Sequence, residues 1–95
     1  MLVGLSESER AQEMVAAELA GCYEQLGEHM KSAEVWQLMY KAAPTSARAW
    51  LAAVRAGESL LQAGEREQAW LWLEQARLAA PDAPEVQQLQ AAFSR

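Results

Sequence analysis

Ala20, Gly27 and Pro44 of this chain return 37 positions later as Gly57, Gly64 and Pro81. Between these anchors Tyr23 is matched by Leu60, Ser32 by Ala69, Trp36 by Leu73, Met39 by Ala76 and Ala43 by Ala80, so small residues stay small and bulky apolar residues mostly stay bulky. A period of this size is that of a helical hairpin, a unit that cannot bury its apolar face alone and does so by stacking on its neighbour. No segment alternates with period two over more than a few residues, so no strand is expected and the fold is expected to be all-α.

The local signals divide the chain into about five helices. The first is expected from about Ser6, where Ser6 and Glu9 have the spacing of a capping box, to Gly27, with Ala16, Leu19, Ala20, Tyr23 and Leu26 on its inward face. A second is expected over about residues 30–43, closed by Pro44, which cannot continue the hydrogen-bond ladder. The third, over about 46–63, turns Ala49, Trp50, Ala53, Ala56, Gly57 and Leu60 inward and stops at Gly64, a residue suited to a left-handed C-terminal cap. The fourth covers about 66–80 before Pro81. Asp82 and Glu85 then have the spacing of another capping box with Pro84 in the first turn, so a short fifth helix is expected from Ala83 or Pro84 toward Ser94.

Length and composition narrow the function. The chain has 95 residues, 52% apolar and 22% charged, which suits one domain with one core. Its formal net charge is -5, with both signs interspersed, so no cationic patch is available to neutralise phosphates; nucleic acid and anionic membranes are poor partners. The apolar runs fall far short of the roughly 20 residues that span a bilayer, and Met1–Leu5 lacks the basic start and cleavage site of a signal peptide. One cysteine, Cys22, cannot close an internal disulfide, and a cytoplasmic location is expected.

The order large apolar, small, aromatic, Gly, small, aromatic, Pro is carried by Leu19, Ala20, Tyr23, Gly27, Ser32, Trp36 and Pro44 in the first copy. In the second it is carried by Ala56, Gly57, Leu60, Gly64, Ala69, Leu73, Ala76 and Pro81. This pattern resembles the tetratricopeptide repeat over about residues 13–83, with repeat one at about 13–46, repeat two at about 50–83 and a capping helix at about 83–94. Two departures are visible. The aromatic near the start of each first helix is replaced by Ala16 and Ala53, with Trp50 a turn earlier on the same face, and the period exceeds the usual 34 by about one helical turn.

In such arrays the first helix of each hairpin lines a concave groove. The resemblance therefore implies a binding groove made by Met14, Ala17, Gly21, Glu24 and Gln25 from the first helix and Leu51, Val54, Arg55, Glu58, Leu61 and Gln62 from the third. Leu51, Val54 and Leu61 stand off the stripe of Ala53, Gly57 and Leu60, so they either face this groove or are tucked into the core by a small rotation of the helix. A partner's amphipathic helix or extended peptide, with apolar anchors and a basic residue to meet Glu24 and Glu58, would suit it. Some members of the family grip a terminal carboxylate with Lys, Arg and Asn; this chain contains no Asn, and Arg55 is the sole cation among those positions, so that clamp is not expected.

Other residues remain to be placed. A second apolar stripe on the second helix, Val35, Leu38 and Ala42, is expected to lie under the third, and its counterpart on the fourth, around Trp72 with Leu71 and Leu78, is expected either under Val86, Leu89 and Phe93 of the last helix or in a second interface with a partner. Leu2, Val3 and Leu5 are candidates for a further contact or for a terminus folded over the first hairpin. Trp70 is placed to meet Arg66 one turn away in a cation–π contact. His29 reads as a turn residue, and with Cys22, a small buried or half-buried side chain, it makes no credible metal set. No phosphate-cradling loop or nucleophile motif is present, so neither cofactor nor metal nor catalysis is expected. The function expected is binding of another polypeptide, as an adaptor, assembly factor or chaperone. The alternatives are a small secretion chaperone of the type III kind built from such repeats, or a subunit of a self-assembling complex, as a homodimer or a hetero-complex.

Overall fold

The computed structural model describes residues 7–42 and 48–94. Five helices follow in order: α1 (Glu7–Gln25), α2 (His29–Ala42), α3 (Ala49–Gln62), α4 (Arg66–Ala79) and α5 (Pro84–Phe93). No strand occurs among the described residues. The Ser6–Glu9 capping box, the stop at Pro44 and the leading Leu2, Val3 and Leu5 lie outside the described residues or rest on side chains outside them.

Both hairpins turn through the same bond pattern. Gly27 and Gly64 hold φ of 76° and 87°, the left-handed region in which a Cβ is strained. The backbone N–H of Glu28 donates to the Tyr23 carbonyl and that of Gly27 to Glu24; thirty-seven residues on, Glu65 donates to Leu60 and Gly64 to Leu61. These are the 6→1 and 5→2 bonds of a Schellman stop, which satisfy carbonyls that the helix end would otherwise leave unpaired. At these two turns the repeat seen in the sequence is a repeat of backbone geometry.

Buried residues show how the helices stack. Ala16 and Ala20 of α1 share a core cluster with Trp36 of α2 and with Ala52 and Ala56 of α3. Ala33, Leu60 and Ala69 form a second cluster joining α2, α3 and α4. A third gathers Ala53, Val54, Leu73, Ala76, Val86 and Leu89 from α3, α4 and α5. Successive helices run antiparallel, as their short connections require, whereas α1 lies along α3 and α2 along α4 at an offset close to the repeat: Glu13 pairs with Arg48, Ser59 with Glu24, and Tyr40 reaches Gln75. Alanine predominates where helices meet, so their backbones can approach closely. The molecule is a short stack of helical hairpins, 42 × 30 × 19 Å, about two helices thick.

The fifth helix packs on both α3 and α4 and buries Val86 and Leu89 there. An ideal Cβ at Gly57 would come within 2.9 Å of Leu89 Cδ2 and 3.3 Å of the Ala69 carbonyl, so α5 and α4 both press closely on α3 at Gly57. Trp72 is half-buried beneath this cap and meets Tyr40 edge to face, the ring centroids 5.1 Å apart. Trp50 packs on the same cluster.

Several expectations need correction. Leu19 and Leu26 are exposed rather than inward, because the α1–α2 contact is made by alanines and Trp36 on a face rotated away from them. Leu38 and Ala42 are exposed too, and only Val35 of that stripe packs against the cluster that holds Ala52 and Ala56 of α3; α2 meets α3 and α4 mainly through Ala33, Trp36 and Tyr40. Ala83, in extended conformation and without a side-chain cap, precedes α5, so Asp82 and Glu85 do not form the expected box. Cys22 is exposed. The Arg66 guanidinium lies over the Phe93 ring, 5.2 Å from its centroid, and not over Trp70, which instead meets Phe93 edge to face.

Candidate functional site

The side-by-side run of α1 and α3 leaves a cleft of about 400 Å³ between them. Its floor is Ala17, Ala20, Gly21 and Trp36, and its polar wall is Glu24, Ser32, Arg55, Glu58, Ser59 and Gln62. Small floor residues are the reason for the cleft: an ideal Cβ at Gly21 would have no heavy atom within 4 Å. A volume of this order lies in the range of sites that take a side chain or small ligand.

Two polar contacts hold the walls. Near the start of α1, Glu13 accepts from the Arg48 guanidinium at 3.1 Å. Eleven residues further, the Glu24 carboxylate accepts from Ser59 Oγ at 2.7 Å and from His29 Nδ1 on its other oxygen. Ser32 Oγ lies 3.1 Å from Ser59 Oγ; as Ser59 gives its one proton to Glu24, Ser32 donates to Ser59. One carboxylate thus ties together α1, α2 and α3, and it satisfies two serines that are otherwise sealed from water. Burial is the largest influence on Glu24 and pushes its carboxyl up. The hydroxyls of Ser59 and Ser32 and the ring and charge of His29 together outweigh it and hold the carboxyl below its usual value.

Serine, glutamate and histidine in contact invite comparison with a hydrolytic relay, but the order is different. In a nucleophilic triad the imidazole sits between the hydroxyl and the acid. Here the carboxylate sits in the middle, and a carboxylate with a lowered pKa is a weak base toward Ser59. The arrangement acts as a clasp. At the rim Arg55 Nη1 donates to Glu58 at 2.9 Å, so the cation is balanced by its neighbour, and the cleft's other carboxylate, Glu24, is held by Ser59 and His29. Among the described residues no group of His, Cys, Asp or Glu has the arrangement of a metal site, and no helix is long and apolar enough to cross a membrane.

Of the residues expected to line the groove, Ala17, Gly21, Glu24, Arg55, Glu58 and Gln62 come together in this cleft. Met14 and Gln25 are exposed on α1 outside it. Leu51 and Val54 are buried, and Leu61 is half-buried against two of the core clusters, so these three belong to the core. The physical reason is that α3 is central: α2, α4 and α5 all pack on it, and Arg55, Glu58, Ser59 and Gln62 are the α3 residues left to line the cleft beside α1. Of the residues proposed for a second interface, Trp72 is under the cap, and Leu71 and Leu78 are exposed. The clasp serines escaped the sequence reading. Their signal was there: Ser32 and Ser59 are polar residues at inward positions, and a buried hydroxyl needs a partner.

No family model matches this chain, and no curated protein or solved structure matches it.

Proposed function

We propose that this protein binds a segment of another polypeptide in the cleft between α1 and α3, as a small tetratricopeptide-like adaptor, assembly factor or chaperone and not as an enzyme. The observation that carries this reading is the cleft itself: two equivalent helices lie side by side, and the floor between them is made of Ala17, Ala20 and Gly21 where larger residues would close it. The resemblance to tetratricopeptide repeats, whose first helices line a groove, supports the same face. An apolar floor beside Glu24 fits a partner that presents a small apolar side chain with a basic residue next to it. Electrostatic attraction of that kind chooses the partner and speeds encounter more than it tightens the complex.

Filling the cleft tests the reading. Gly21→Trp adds bulk on the open side of α1, where nothing obstructs it. Affinity capture from the source cell with Gly21→Trp beside the unmodified chain should recover the partner with the latter alone. Equal recovery by both, with an unchanged helical spectrum, would move the binding face elsewhere.

A further inference from the structure

Two carboxylates line the cleft between α1 and α3, and each has a basic partner. Glu58 accepts from Arg55 at 2.9 Å, within α3. Glu24 accepts from His29 Nδ1 on Oε1 and from Ser59 Oγ on Oε2. The two pairs differ in one property. An arginine keeps its charge at every pH a protein meets, so Arg55 balances Glu58 throughout. Histidine changes charge between about pH 5 and 8, so Glu24 is balanced by His29 while the imidazole is protonated and is left as a net negative charge when it is neutral.

The contact is built so that this change is electrostatic alone. Nδ1 carries a proton in the imidazolium and also in the neutral tautomer that can donate to a carboxylate, so His29 bonds Glu24 in both states and the walls of the cleft stay in place. Glu24 keeps its charge as the pH falls into this range: burial pushes its carboxyl up but is outweighed by the hydroxyls of Ser59 and Ser32 and by His29, which hold it below its usual value. Both side chains are 31% exposed, so water reaches the pair and the carboxylate's remaining lone pairs can meet a ligand.

The other charged groups facing His29 are a lysine, an arginine and carboxylates. On the turn and α2, Lys31 pairs with Glu28 at 3.2 Å, and Glu34 lines the same hollow as His29. From α3 and its end that hollow receives the uncharged Gln62 and Ala63, and across the cleft stand Arg55 and Glu58. His29 is the chain's one histidine.

We propose that His29 makes the cleft's hold on a partner's basic residue pH dependent: the cation is bound by Glu24 while the imidazole is neutral and is released as His29 takes up a proton. The proposal rests on the binding of a polypeptide in this cleft and adds its regulation. A second positive charge beside a carboxylate that is part exposed to water weakens the hold on a cation by roughly three- to tenfold.

N-acetyl-lysine methylamide, and the N-acetyl-norleucine methylamide that lacks its ammonium, serve as probes of the full chain at low salt, read by the amide shifts of Gly21 and Ser59. At about pH 8 the lysine probe should bind more tightly than the norleucine probe. At about pH 5.5 its dissociation constant should rise roughly three- to tenfold, with that of the norleucine probe unchanged. His29→Gln, which keeps an N–H donor but takes up no proton, should give one lysine affinity at both pH values. Glu24→Gln should erase the preference for lysine, and Gly21→Trp should remove the shifts. Absence of a lysine preference at the higher pH, an affinity in the unmodified chain that ignores pH, a pH dependence that persists in His29→Gln, or shifts that survive Gly21→Trp would each overturn the proposal. Partner capture separates this from the cleft's role: a partner lost with Gly21→Trp but held equally at both pH values keeps the cleft as the binding face and removes the switch.

Discussion

Glu24 is the residue on which most of the polar structure turns. It accepts from Ser59 on α3 and from His29 on α2, and through Ser59 it also serves Ser32. Glu24→Gln keeps the shape but weakens charge-assisted bonds, and with the side chain 31% exposed the expected loss at neutral pH is about 1–2 kcal/mol, read from denaturant unfolding. The sign with pH follows from the lowered pKa. The folded state prefers the ionised carboxyl, so this stabilisation is complete above the usual value of 4.5 and disappears as pH falls through the lower value of the folded protein. The stability difference between the unmodified chain and Glu24→Gln should therefore shrink on acidification; a difference that grows below pH 4.5 would contradict the clasp. Gly21 makes the complementary case. In mid-helix and with open space around it, Gly21→Ala should stabilise by roughly 0.5–1 kcal/mol through helix propensity and the unfolded chain's lost freedom. Thermal unfolding checks this, and a fall in the midpoint would mean that the floor of the cleft is more crowded than described.

At the scale of elements, Gly57 separates propensity from packing. Gly57→Ala gains about 1 kcal/mol of helix propensity, but its methyl would meet Leu89 Cδ2 at 2.9 Å and the Ala69 carbonyl at 3.3 Å. Overpacking a filled core costs about 1–3 kcal/mol, so the net change expected is a loss of about 1 kcal/mol, the opposite sign from Gly21→Ala. A gain in stability at both positions would show that α5 does not press on α3. The contrast also marks what was legible from sequence. Hairpins, their glycine stops and the number of helices could be read because backbone geometry and a 3.6-residue stripe are local properties. Leu51 and Val54 could be read only as one of two options, because a helical wheel shows which residues share a face and not how many neighbours cover it. The entry of α5 was legible too, since Pro84 after an extended Ala83 sets it; what did not form is the capping box that the spacing of Asp82 and Glu85 suggested.

The whole molecule is small for its architecture, and so the cap carries a large share of its stability. Val86 and Leu89 are buried, and burial of each such side chain contributes about 1.5–3 kcal/mol. Truncation after Pro81 would remove both and bare Leu73, Val54 and Trp72, a loss of roughly 3–6 kcal/mol against the 5–15 kcal/mol by which domains are stable. The truncated chain is expected to lose its cooperative melt in calorimetry or to aggregate. Retention of the full transition would remove α5 from the core. The polar cleft at α1 and α3 and the exposed apolar side chains Val15, Leu19 and Leu38 of α1 and α2 lie apart, and both depend on the hairpins stacking in the same order as their sequences repeat. Nuclear Overhauser contacts test that stacking most directly. The account predicts cross-peaks between the rings of Tyr40 and Trp72, whose centroids are 5.1 Å apart, and between the Leu89 methyls and Gly57. A folded, helical protein lacking both sets of cross-peaks would contradict it.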